Sequence, residues 1–177
     1  RGAPQPTLAG KLRANSSSWY GMLVAHLGIA VFIVGVTMVN GYQVERDVRL
    51  DPGQSTEVSG WTFTFKGIEP APGPNYQAFV GTVEVRRGGA LVEVLRPEKR
   101  VYTASGQSMT EAAIDTRLTG DLYVSLGEPV TPDGVAGAWG VRIYVKPFVD
   151  WIWGGCLLMA IGGFLAIADR RYRIAIR

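Results

Sequence analysis

Trp19-Tyr-Gly-Met-Leu-Val-Ala-His-Leu-Gly-Ile-Ala-Val-Phe-Ile-Val-Gly-Val-Thr-Met-Val39 contains no Asp, Glu, Lys or Arg. A second uncharged run fills residues 151–168. At a helical rise of about 1.5 Å per residue, each would extend roughly 27–32 Å, which matches a hydrocarbon core of about 30 Å. Both runs therefore read as membrane-spanning helices. The stretch between them is of mixed polarity, so the chain reads as two spans enclosing one extramembrane domain.

The aromatic residues support these ends. Trp19 and Tyr20 open the first span and Tyr42 follows it; Phe148, Trp151 and Trp153 open the second and Tyr172 closes it. Such rings favour the membrane interface because they are apolar bodies, most with a polar tip. Charge sets the orientation. Arg1, Lys11 and Arg13 precede the first span without an acid, and Arg170, Arg171, Arg173 and Arg177 follow the second against Asp169. Between Tyr42 and Pro147 acids and bases nearly balance. The excess of Lys and Arg in short flanks marks the cytoplasmic side, so both ends are expected inside and the domain outside. The net charge of +3 thus reports topology. No basic stripe with interleaved aromatics points to nucleic acid.

The expected organisation is a cytoplasmic loop over 1–18, a span over 19–40, a β-rich domain over 41–147, a span over 148–168 and a basic tail over 169–177. Arg1-Gly-Ala-Pro-Gln-Pro-Thr-Leu-Ala-Gly10 reads as a loop from within a longer protein. The chain is accordingly expected to be a C-terminal piece or one subunit of a split protein. Asn15-Ser-Ser-Ser18 offers an N-cap for the first span. Gly21, Ala25, Gly28 and Gly35 lie near one helical face, with His26 beside them, and the second span holds Gly154, Gly155, Gly162 and Gly163. Small residues at such spacings let helices approach closely.

The domain reads as a small antiparallel sandwich or barrel. Trp61-Thr-Phe-Thr-Phe65 alternates strictly between aromatic and polar residues. Strands are also expected over 42–50, 79–85, 90–95, 100–103, 122–126 and 138–145. Arg86-Arg-Gly-Gly89 signals a hairpin turn. Thr110-Glu-Ala-Ala-Ile-Asp115 has weak helical character, Pro70-Ala-Pro-Gly-Pro74 reads as a turn-rich loop, and Pro147 suits a helix start. Arg96-Pro-Glu-Lys-Arg100 reads as a solvated charged face.

Chemistry is sparse. Cys156 is the only cysteine, which excludes an internal disulfide, a CxxC redox pair and a cysteine-held zinc. His26 is the only histidine. It lies in a span, so no Ser-His-Asp or Cys-His pair can form in the domain. An ionisable group at membrane depth is costly and marks a functional site. His26 stands about seven residues, ~10 Å, from the start of the run, nearer the cytoplasmic leaflet in this orientation. Imidazole is a common axial ligand of haem iron, and small neighbours such as Ala25 and Gly28 would leave room for a porphyrin. A helix–helix hydrogen bond and a proton relay are the other roles such a residue can take. A bis-histidine site would need its second ligand from outside this chain.

Several stretches together resemble the C-terminal end of the CcmF family, membrane haem lyases of cytochrome c maturation. They are Met22-Leu-Val-Ala-His-Leu-Gly28, Val44-Glu-Arg-Asp-Val-Arg49, Met109-Thr-Glu-Ala-Ala-Ile-Asp115, Asp121-Leu-Tyr-Val-Ser-Leu-Gly-Glu128, Trp139-Gly-Val-Arg-Ile-Tyr-Val-Lys-Pro-Phe-Val149, Trp151-Ile-Trp153 and Asp169-Arg-Arg-Tyr-Arg173. The resemblance implies covalent attachment of haem to CxxCH motifs of apocytochrome c outside the bacterial inner membrane, with haem delivered by a haem chaperone. It implies a periplasmic β-rich domain between the last spans. It also implies that His26 is one of two membrane histidines ligating a resident haem b. The family's tryptophan-rich segment, its other membrane histidine and both of its periplasmic histidines have no counterpart here. They are expected in the remainder of the lyase, upstream or in a split subunit, so this segment is not expected to be active alone. The competing reading is a non-enzymatic, membrane-anchored β-domain that binds a partner in a larger membrane complex, with His26 only packing. A transporter fragment using His26 as a relay ranks below both.

Overall fold

The first span begins where the sequence supplies its cap. In the computed structural model, which describes residues 15–130 and 137–169, the Trp19 N–H donates to Ser16 Oγ at 3.2 Å. That side chain satisfies one of the donors left orphaned at a helix start. Helix α1 then runs over Ser17–Tyr42 and helix α2 over Val149–Ile167. The basic flanks at 1–14 and 170–177 lie outside the described residues. The chain divides into a helical unit, with its boundaries at Thr37 and Val149, and a second unit, Met38–Phe148.

Within the helical unit α1 and α2 run antiparallel on a seam of glycines. Gly21, Gly28 and Gly35 of α1 are buried, as are Gly155 and Gly162 of α2. A Cβ on Gly21 would stand 2.5 Å from the Gly162 carbonyl oxygen, one on Gly28 would stand 2.6 Å from the Met159 nitrogen, and one on Gly155 would stand 2.6 Å from the Phe32 nitrogen. The backbones touch directly. The seven-residue interval between these glycines keeps them close to one face of each helix. Gly154 and Gly163 meet nothing within 4 Å, so neither belongs to the seam. Asp169, just past α2, is buried. Its carboxylate accepts the Ser18 N–H at 3.1 Å, which brings negative charge to the positive end of α1.

The second unit is a two-sheet antiparallel sandwich. Its strands are β1 Val44–Leu50, β2 Ser55–Val58, β3 Trp61–Pro72, β4 Tyr76–Arg87, β5 Ala90–Leu95, β6 Glu98–Tyr102, β7 Ser108–Glu111, β8 Ala113–Asp115, β9 Gly120–Pro129 and β10 Trp139–Pro147. One sheet has the order β1-β10-β9-β8; the other has β2-β3-β4-β6-β7, with β5 also paired to β4. Alternation sends one face of each strand inward. Phe63 and Phe65, Val83 and Val85, Leu122, Val124 and Leu126, and Trp139, Val141 and Ile143 form the core. Strand β4 serves two partners on one side: β6 along Tyr76–Val80 and β5 along Val83–Arg87. The switch falls at Gly81, whose N–H donates to the Pro97 carbonyl at 2.8 Å.

Four expectations are corrected. Thr110–Asp115 is not helical; it forms the second half of β7 and all of β8, and crosses from one sheet to the other at Ala112. Ladder pairing with Glu98–Val101 and Leu122–Val124 outweighs the mild helix propensity of its alanines. Pro70 and Pro72 lie inside β3, paired with Phe79 and Gln77. Strand β2 reaches only Thr64 of β3, so their missing N–H groups fall on an open edge, where proline is tolerated. Pro147 ends β10 instead of starting α2, and Phe148, at φ 58, makes the turn between them. Within Arg96–Arg100, Pro97 is fully buried and Lys99 is only 8% exposed. The Lys99 ammonium donates to the Gly127 carbonyl at 3.2 Å and pairs with Glu128, which fastens β6 to β9 across the two sheets.

The β4–β5 hairpin closes through Gly88 and Gly89, at φ 57 and 84, the signature of a type I′ turn. A β-branched residue there is strained by about 1–2 kcal/mol. Gly89→Val is therefore expected to lower sandwich stability by about that amount, read as a lower urea midpoint at unchanged slope, whereas Gly88→Asn should leave the midpoint nearly in place.

Candidate functional site: the outward histidine of the membrane hairpin

His26 lies in the middle of a helix whose contact seam is fixed by Gly21, Gly28 and Gly35. Two residues before Gly28 is about 200° of rotation, so His26 points away from α2. Its side chain is exposed in the hairpin, on a face it shares with Met22, Leu23, Ile29 and Ile33. By sequence, His26 stands beside the small-residue stripe, and Ala25 and Gly28 leave room there for a porphyrin. The structure fills that space with α2, since Gly28 abuts Gly155 and Met159, and Gly162 abuts Ala25. Any group bound by His26 approaches from the opposite side.

The ring itself is oriented. His26 Nδ1 lies 2.8 Å from the Met22 carbonyl oxygen, one helical turn back. A carbonyl only accepts, so Nδ1 carries the hydrogen. In the neutral ring the Nε2 lone pair is then free and directed outward. Metal-ligating histidines are arranged this way: the second ring nitrogen donates to an oxygen that fixes tautomer and ring plane. Sequence pattern alone could have suggested the bond, since a histidine in mid-helix always has the carbonyl four residues back within reach. Asp169 was the residue missed. It read as a counter-charge in a basic tail, but it holds the first turn of α1.

The sandwich presents no comparable centre. Among the described residues no group of three or more His, Cys, Asp or Glu side chains could hold a metal. Its charged residues pair with one another, several of them across strands. Arg142 grips Asp47 through two bonds, 2.6 and 2.7 Å, and Tyr144 donates to Glu45 at 2.7 Å. Hydrogen bonding to Arg142 holds the Asp47 carboxyl below its ordinary range. Hydrogen bonding to Glu45 raises the Tyr144 phenol. Because the Asp47 pKa is depressed, its contribution to stability is present above the unfolded-state value and is lost as pH falls through the folded one. The pair is exposed, so solvent screens it and the contribution is small.

Residues 41–147 match the family model described as the CcmF C-terminal beta-sandwich. The chain belongs to the CcmF family. It is 48% identical over 165 residues to the cytochrome c-type biogenesis protein CcmF of Pseudomonas aeruginosa, covering 93% of this chain and 24% of that protein. It is 49% identical over 156 residues to CcmF of Escherichia coli, covering 88% of this chain and again 24% of the relative. The chain thus spans about a quarter of the length of these relatives. A solved structure of a cytochrome c haem lyase CcmF superposes with a TM-score of 0.70 at 20% identity, over 85% of this chain and 24% of that one, and shows the same fold. Two apolar helices flanking the sandwich agree with a membrane protein of cytochrome c biogenesis.

Proposed function

We propose that this chain is the C-terminal part of a haem lyase that joins haem covalently to apocytochrome c, and that His26 supplies one axial ligand to a resident haem b. The observation that carries the reading is the His26 ring, with Nδ1–H tied to the Met22 carbonyl and Nε2 directed away from α2. When bound, a haem supplies one-electron redox chemistry. The chain's own residues set the donor: Met22 fixes the tautomer, and the glycine seam holds α1 so that the ring faces outward. The second axial ligand comes from the remainder of the lyase, because this chain has no other histidine. The haem chaperone and apocytochrome c are the remaining partners. The reading places both spans in the bacterial inner membrane and the sandwich in the periplasm.

The test is optical. In the full-length protein, His26→Ala is expected to abolish or strongly weaken a low-spin b-haem spectrum while the melting temperature of the sandwich stays the same. An unchanged spectrum together with unchanged cytochrome c maturation would remove His26 from the haem site and leave the interaction-module reading.

A further inference from the structure

The end of the sandwich where the chain enters and leaves has an unusual surface. Strand β1 starts there at Val44, β10 ends there at Pro147 and β9 starts there at Gly120. Between β8 and β9 the loop Thr116–Thr119 is held against that end. The Phe148 N–H donates to the Thr119 carbonyl at 3.2 Å, and Phe148 is bonded directly to Val149, the first residue of α2. Gly120, at φ 148, permits the contact: a Cβ there would stand 2.8 Å from the Lys146 carbonyl oxygen. The loop is thus fixed within one residue of a membrane span.

At its tip Leu118 is 74% exposed, more than any other large apolar side chain given for the sandwich. Bases surround it. Arg117 pairs with Asp115 at 2.5 Å, and its guanidinium lies 5.1 Å from the centre of the Trp61 ring, which Arg87 also approaches, at 4.7 Å. Lys146 lies over Tyr144 at 4.8 Å and Tyr123 at 5.7 Å. An exposed apolar tip with Arg and Lys at the same end of the domain is a composition that suits a membrane interface: the apolar group enters the headgroup region and the cations meet phosphates.

We propose that the loop Thr116–Thr119 is a membrane-surface foot, with Leu118 inserted among phospholipid headgroups and Arg117 and Lys146 facing their phosphates. The occupant is lipid because the loop is hydrogen-bonded to the residue from which a span departs, and a bilayer that holds α2 begins there. The proposal rests on α2 being a span and is independent of the haem reading.

The full-length protein carrying the photoreactive residue p-benzoylphenylalanine at Leu118, in nanodiscs of phosphatidylethanolamine and phosphatidylglycerol, decides it. Illumination is expected to give a phospholipid adduct at position 118 by mass spectrometry. The same probe at Val130, 48% exposed at the far end of β9, should give none. A protein cross-link at 118 in place of lipid would assign the loop to an internal contact and overturn the proposal. So would the absence of any adduct, or equal lipid adducts at both positions. If the Leu118 variant does not accumulate, the probe at exposed Thr119 is read in the same way.

Discussion

Gly155→Leu is expected to separate α1 from α2, whereas Gly154→Leu, one position away, is expected to leave them together. A Cβ on Gly155 would lie 2.6 Å from the Phe32 nitrogen and 2.7 Å from the Gly28 carbonyl oxygen, while one on Gly154 meets nothing within 4 Å. The obstructing atoms are backbone, so no rotamer change makes room. The helices must move apart by most of a side chain's depth. In lipid no hydrophobic effect pulls them back, because association rests on close packing itself. Overpacking of this kind costs about 3 kcal/mol, the upper part of its usual range. Cysteines at Ser18 and Asp169, whose amide and carboxylate groups lie 3.1 Å apart, report the pairing as an oxidative cross-link in the full-length protein. The cross-link should form in the Gly154→Leu background and fail in the Gly155→Leu background. Equal cross-linking in both would show that the glycine seam does not hold the hairpin.

That one-position contrast shows where sequence reading stops. The uncharged runs, the Ser16 cap, the Trp61–Phe65 alternation and the Gly88-Gly89 turn are local signals, and each is legible because its physical cause lies within a few residues. Four glycines in α2 looked equivalent because composition cannot say which two face the partner. The seven-residue interval shared by Gly21, Gly28, Gly35, Gly155 and Gly162 held the answer, but Ala25, Gly154 and Gly163 blurred it. The face of His26 followed from the same seam. Its residue type marked it as a candidate site, but its direction depended on where α2 lies. Thr110–Asp115, Pro70–Pro72, Pro97 and Lys99 were misread for a related reason. Their environment is set by strands distant in the chain, and ladder pairing or burial overrides local preference there.

Trp139→Ala is expected to have the largest effect on the sandwich. Trp139 is 1% exposed, opens β10 between Leu50 of β1 and Pro129 of β9, and faces Phe79 of the other sheet at 5.7 Å between ring centres. It therefore fills the space between the sheets at the end opposite the chain's entry and exit. Truncating a buried tryptophan costs about 3–5 kcal/mol, because the lost contacts leave a cavity that the framework only partly closes. Against a whole-domain stability of about 5–15 kcal/mol that is a large fraction. Arg142→Ala, on the solvent side of the same strand, removes two hydrogen bonds to Asp47 yet should barely move the transition, since water replaces what the exposed pair loses. Hydrogen exchange of β9 and β10 peptides across a urea series, in the full-length protein, isolates the sandwich from the spans. If Trp139→Ala and Arg142→Ala shifted the midpoint equally, the two sheets would be held by their charged outer faces instead of by the apolar layer between them.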